Sequence, residues 1–385
     1  DRPADGSPPT NWTSMFKGVP AWTHDDTTDQ SYLHLFLAEQ PDLNWANPDV
    51  EAAMLDSLRF WLDRGVDGFR SDVVNLIGKG TDVDDLPEQL ARVPLLAVDR
   101  PFGHELLRRI RTLLDGYPQQ PMMVGEVYLL RAGESASYLG DPASGRGELH
   151  LSFDFRPIHT DWTAAAMHEV IAASQAEFAE PAWPTWVLSN HDRHRHRTRY
   201  GTEARARAAA VLSLTVRGTP FLYAGEELGL EDAVVPPERV VDPDGRDGCR
   251  APIPWTADGD ESNGHGWPAP PWLPFPANAS TNAADAEIGV ESSMHTLYGR
   301  LLALRAGSAA LRSGSLELAP LSGSDVIRFT RASAGERVVV LVNVADHDVA
   351  WPADLADADI LVSSDAHRHA VTDHLGADEA VVLAT

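Results

Sequence analysis

Three short stretches of this chain end in residues that can do acid–base chemistry. Asp72 follows VDGFRS, Glu126 follows MMVG, and His191 with Asp192 follows WVLSN. Each stretch reads as a short strand, so each polar residue falls at a strand's carboxyl end. Three acids converging on one cavity are equipment for cleaving a glycosidic bond. One carboxylate attacks or stabilises the sugar carbon, and another, held protonated, donates to the leaving oxygen. Side chains alternate along a strand, so Arg70 and Asp72 point the same way. A guanidinium beside a carboxylate holds it ionised, as a nucleophile requires. Its partner acid must instead keep a proton near neutral pH. Taken singly, GFRSD also reads as a structural ion pair, GE as a turn or helix-capping residue, and NHD as an Asn/Asp turn. Recurrence on separate strands of one series favours a shared site.

The elements that must position these residues alternate. NPDVEAAMLDSLRFWLDRG reads as a helix capped by Asn47 and stopped by Gly65, with an apolar stripe of Val50, Met54, Leu58, Trp61 and Leu62. VDGFRSDVV is followed by the helix GHELLRRIRTLLDGY, PMMVGEVYLL by the strand ELHLSFDF, and TWVLSNHD by TEARARAAAVLSLTV. GTPFLYAGEEL is the fifth strand unit. Strands alternating with helices imply parallel β-structure with helical crossovers. In parallel barrels the active face is built at the carboxyl ends of the strands. Residues 1–46 read as loop, and a Pro-, Trp- and Gly-dense insert runs from about 229 to 290. Beyond about 309, short strands without helices indicate a small all-β domain.

Composition narrows the function. The 385 residues exceed one ordinary core, and 43% hydrophobic with 23% charged content suits a globular chain. A formal charge of −26 argues against polyanionic partners, which depend on clustered Lys and Arg. No apolar run reaches membrane-spanning length, and the opening residues do not read as a signal peptide. Cys249 is the single cysteine, so no disulfide forms within the chain and thiol-rich metal sites are excluded. His194 and His196 read as solvated loop residues and not metal ligands. Trp255, Trp267 and Trp272 read as packing down their own loop, with sugar stacking as the other reading.

In order, GFRSD, GE and SNHD resemble the second, third and fourth sequence regions of the α-amylase family of glycoside hydrolases. QPDLNW at 40–45 resembles the fifth region in the form typical of oligo-1,6-glucosidases and α-glucosidases. RDGCRAPIPW at 246–255 is similar to an RD-x-x-R-x-P-x-x-W segment of the same subfamily. The resemblance implies an α/β fold, a (β/α)8 TIM barrel followed by a C-terminal β-sandwich domain. It makes Asp72 the nucleophile, Glu126 the general acid/base, and Asp192 a third carboxylate gripping sugar hydroxyls. Arg70 would orient Asp72 and His191 would bond the sugar; Arg250 would contact substrate or close a loop ion pair. The implied activity is a retaining, exo-acting α-glucosidase on terminal α-1,6 and/or α-1,4 bonds of short oligosaccharides, with Val73 after the nucleophile leaning towards α-1,6. A transglycosidase of the sucrose- or trehalose-isomerase type and a non-catalytic sugar-binding relative are the alternatives. No cofactor is required, structural calcium is not indicated, and the partner is a small oligosaccharide, with neither nucleic acid nor membrane. The location is expected to be cytoplasmic, and the oligomeric state is left open. The family's first region, an Asp and an Asn-His, has no counterpart in residues 1–46. We therefore expect a fragment with an incomplete barrel: the end of an inserted domain over 1–46, strands four to eight over 47–308, and the β domain over 309–385.

Overall fold

Local chemistry explains where each element starts and stops. The side chain of Asn47 accepts from the Asp49 amide and opens α1 (Pro48–Leu62), with Pro48 in the first turn and Asp49 and Glu51 at its positive end. The expected apolar stripe holds in part. Leu62 is buried, whereas Trp61 is 52% exposed and lies edge-on to Phe60. A computed structural model describes residues 7–16, 18–79, 101–129, 133–259 and 264–385. The chain divides into two compact units, Asp1–Asp154 and Phe155–Thr385.

In the first unit, β1 (Trp22–Asp25) and β2 (Gln30–Leu33) form an antiparallel hairpin inside the segment expected to be loop. Its turn is built by Asp25, whose carboxylate accepts from the Thr27 amide and the Thr28 hydroxyl. Further on, β3 (Gly68–Ser71), α2 (Pro101–Asp115), β4 (Met122–Gly125) and β5 (Leu151–Ser152) follow one another. The three strands are parallel in the order β3–β4–β5, with Gly68 opposite Met122 and Ser71 opposite Gly125. Gly68 is required: a Cβ there would lie 2.0 Å from the Met122 carbonyl oxygen. α2 buries Leu106, Leu107, Ile110 and Leu114, which recur at helical spacing.

The second unit holds α3 (Ala164–Glu177), β6 (Thr185–Val187), α4 (His196–Tyr200), α5 (Glu203–Thr215) and β7 (Thr219–Phe221). β6 and β7 are parallel in a sheet of their own, so all five strand units of the alternating pattern lie in parallel pairings among the described residues, three in the first unit and two in the second. They are shorter than the apolar runs around them. The described residues of the insert of 229–290 are irregular apart from short helical turns, and α6 (Met294–Gly307) and α7 (Ala309–Ser313) follow it. The chain ends in an antiparallel sheet of β8 (Ser315–Leu318), β9 (Val326–Ser333), β10 (Glu336–Asn343), β11 (Asp359–Ser363) and β12 (Ala380–Ala384), in the order β8–β9–β10–β12–β11. Alternation along β10 sends Val338, Val340 and Val342 into one core with α5 and α6, and Val339 and Leu341 into another with Trp351 and Leu375. Arg331 is fully buried on the face of the first core, the side of Ile327 and Phe329. It donates to the carbonyls of Thr215, Gly314 and Ser315, and desolvation pulls it down to about 9.

Candidate active site

The register of β3 on β4 places the first two acids. Beyond the paired strands the ladder runs one residue further: the Glu126 amide donates to the Ser71 carbonyl at 2.8 Å, and the Val74 amide to the Glu126 carbonyl at 2.9 Å. Asp72 and Glu126 therefore stand side by side at the carboxyl ends of neighbouring strands, which lie roughly 4.7–4.9 Å apart in any sheet. One guanidinium serves both. Arg70 Nη1 donates to Asp72 Oδ1 at 2.6 Å, and Nη2 donates to Glu126 Oε2. Two acceptors on one planar fork cannot be far apart. Their environments differ: the Asp72 side chain is 70% exposed and that of Glu126 only 6%.

Immediately after Asp72 the chain takes a turn that a β-branched residue rarely adopts. Val73 has φ 32° and ψ 48°, the left-handed region, and leads into a single tight turn over Val74–Leu76. The bend stops β3 earlier than its apolar run suggests. Beside Asp72 lies a hollow of ≈ 220 Å³ with Trp45, Met54, Leu58, Val74 and Ile77 on its walls. Asp42 of QPDLNW bonds inward, accepting from Lys79 Nζ at 2.5 Å and from the Leu35 amide at 2.8 Å.

In the second unit, Asn190 caps the turn after β6 by accepting from the Asp192 amide at 3.0 Å. Asp192 Oδ1 accepts from Arg246 Nη1 at 2.7 Å and from Arg250 Nη2 at 3.1 Å, while His191 Nε2 lies 3.3 Å from Asp192 Oδ2. Arg250 Nε also donates to the His191 carbonyl at 2.7 Å. Sequence reasoning missed Arg246 and Asp242. Asp242 accepts three side-chain bonds from Arg246, the shortest 2.5 Å, together with the Arg246 amide. The RD pair that opens RDGCRAPIPW was the available signal: Arg246 reaches Asp192, and Asp247 accepts the amides of Val241 and Asp242. Asp192, Arg246, Asp244 and Cys249 share a hollow of ≈ 140 Å³. Burial pushes the Cys249 thiol up to about 11.

Of the two histidines past NHD, both expected to be solvated loop residues, only His196 departs from that reading. His194 is exposed and bonds Asp232 through Nδ1 at 2.5 Å. His196 is buried, 1% exposed, because it opens α4 with its ring turned into the core. Trp255, Trp267 and Trp272, expected to pack down, are 51%, 40% and 61% exposed. No group of three or more His, Cys, Asp or Glu among the described residues is placed to hold a metal ion.

Arg246 holds the Asp242 carboxyl at about 2, below the usual 3.8. A depressed folded-state value contributes stability above pH 4 that is lost as the pH falls from 4 towards 2. Replacing Asp242 by Asn is expected to cost about 2 kcal/mol at pH 7 and little at pH 2. Urea melts across that range check it, and a deficit unchanged down to pH 2 would contradict it.

A family model described as "Alpha amylase, catalytic domain" matches residues 1–314. A probable alpha-glucosidase of Rhizobium meliloti (strain 1021) is 35% identical over 378 residues, covering 90% of this chain and 67% of that protein. An oligo-1,6-glucosidase of Parageobacillus thermoglucosidasius is 30% identical over 391 residues, covering 89% and 68%. Among solved structures, an alpha-glucosyl transfer enzyme is 33% identical with a TM-score of 0.86 over 100% of this chain and 76% of its own. The trehalulose synthase of Pseudomonas mesoacidophila MX-45 is 27% identical with a TM-score of 0.89, over 100% and 76%. No helix among the described residues is long and apolar enough to cross a membrane. Paired strand-end carboxylates on parallel strands and a matching family model over most of its length place this chain in the alpha-amylase family of glycoside hydrolases, whose catalytic domain is a TIM barrel.

Proposed function

We propose that the protein is a retaining α-glucosidase that removes terminal glucose from short α-linked oligosaccharides. One observation carries this reading: a single guanidinium, that of Arg70, bonds both Asp72 and Glu126. Retaining enzymes need their two carboxyls roughly 5–5.5 Å apart, and neighbouring parallel strands supply a spacing of that order. Asp72, exposed and held by Arg70, attacks the anomeric carbon as the glycosidic C–O bond breaks and Glu126 gives its proton to the departing oxygen. Water then passes a proton to Glu126 and attacks the same carbon, which frees Asp72 and α-glucose. For the first step Glu126 must carry a proton, on the oxygen that does not accept from Arg70. Asp192, with His191 beside it and fixed by Arg246 and Arg250, grips sugar hydroxyls.

Val73 and relatives named oligo-1,6-glucosidase support an α-1,6 preference. Likeness to a trehalulose synthase supports a second reading, in which an acceptor sugar replaces water. Product analysis separates them. Glucose released from isomaltose faster than from maltose supports the first, an isomerised disaccharide from sucrose supports the second, and no turnover of any α-glucoside overturns both.

Five strands in parallel pairings are described where a closed barrel has eight, and about a third of the length of the two glucosidase relatives lies outside the matched part. Both support reading the chain as part of a longer hydrolase. The 385 residues alone should then hydrolyse p-nitrophenyl α-glucoside far more slowly than the protein extended to its relatives' length. Equal rates would contradict this. A buried lone cysteine supports a reducing, cytoplasmic setting.

A further inference from the structure

The loop that carries His191 and Asp192 is tied at its base by a side chain outside the chemistry just described. Ser189 Oγ, just past β6, accepts from the backbone N–H of His196 at 2.9 Å and lies 3.0 Å from its ring Nδ1. A hydroxyl has two acceptor sites and one proton, so Oγ takes the amide N–H and bonds Nδ1 at the same time, in the direction that the ring tautomer sets. The same ring nitrogen lies 3.6 Å from Glu226 Oε1, and both side chains are buried, 1% and 2% exposed. Nε2 of His196, Oε1 of Glu226 and the hydroxyls of Tyr200 and Tyr298 are buried with no hydrogen-bond partner among the described residues. Unpaired buried polar atoms cost stability. A leucine at 196 would suit the core better, so the imidazole is there for something other than packing.

We propose that His196 is a positioning residue. Through Ser189 it closes the loop Asn190–Arg195 at its base and so fixes the carboxylate of Asp192. Each flank of the loop has a further tie: Arg199 Nη2 donates to the Leu188 carbonyl at 2.6 Å before it, and Asp232 accepts from the Arg195 amide at 2.9 Å at its end. Breaking the clamp between 189 and 196 therefore loosens Asp192 without releasing the whole segment. The catalytic consequence rests on the glucosidase reading; the clamp itself does not.

The test compares wild type with His196→Leu and His196→Asn, whose amide can stand in for Nδ1, and with Ser189→Ala should the leucine variant fail to fold. Amide hydrogen exchange over residues 189–196 should rise about tenfold in His196→Leu. kcat for an α-glucoside should fall about tenfold or more at little changed KM, since a small misplacement near the chemistry is costly. The melting temperature should stay level or rise, and the asparagine variant should recover both exchange and kcat. A purely structural role would instead lower the melting temperature and leave kcat per folded molecule unchanged. Unchanged exchange over 189–196 overturns the proposal, as does faster exchange with undiminished kcat. Should wild type hydrolyse no α-glucoside, exchange still decides the clamp, and the failure belongs to the glucosidase reading.

Discussion

Replacing Asp72 by Asn in the active protein should cut α-glucoside hydrolysis by roughly 10⁴-fold or more while leaving the fold in place. An amide oxygen is too poor a nucleophile to form the glycosyl ester, and no other carboxylate on β3 can replace it. Folding should be spared because the Asp72 side chain is 70% exposed and Arg70 keeps its bond to Glu126. Removing the side chain altogether sharpens the test. With Asp72→Gly, azide can enter the vacated space and displace the leaving group directly, giving the β-glucosyl azide by a single inversion. Residual activity above a hundredth of wild type, from a folded and uncontaminated variant, would remove Asp72 from the mechanism.

Glu126→Gln should behave differently. Losing a general acid typically costs 10²–10⁴-fold, and that loss should appear with leaving groups that need a proton. α-Glucosyl fluoride departs without one, so its first step should survive and the glycosyl-enzyme should accumulate, because no base remains to activate water. Azide, needing no base, should then restore turnover and give the α-glucosyl azide by double inversion. The opposite anomers from the two variants assign the two roles without reference to rate. The same azide anomer from both would contradict the assignment.

Much of the first half of the site was legible because it depends on a period of two. Arg70 and Asp72 are two residues apart on one strand, and their contact follows from that alone. That Glu126 stands next to Asp72 depends on register, with Gly68 opposite Met122, and no local pattern carries register between strands separated by a helix. Arg246 and Asp242 were harder still, since an irregular insert carries no periodicity from which to place a side chain. In HDRHRHRTR the histidines look alike, yet His194 is exposed and His196 buried; the difference is that α4 begins between them. The hairpin of Trp22–Leu33 went unread because its turn, DDTTD, has no glycine. Asp29 takes the positive φ of 54° that usually signals one.

Trapping the glycosyl-enzyme tests the central claim most directly. 5-Fluoro-α-glucosyl fluoride, incubated with the active protein and followed by digestion and mass spectrometry, should leave one fluoroglucosyl group on the peptide that carries Asp72, and none on that peptide in Asp72→Asn. A label on Glu126, on Asp192 or elsewhere, or turnover that releases β-glucose with no covalent adduct, would contradict the account.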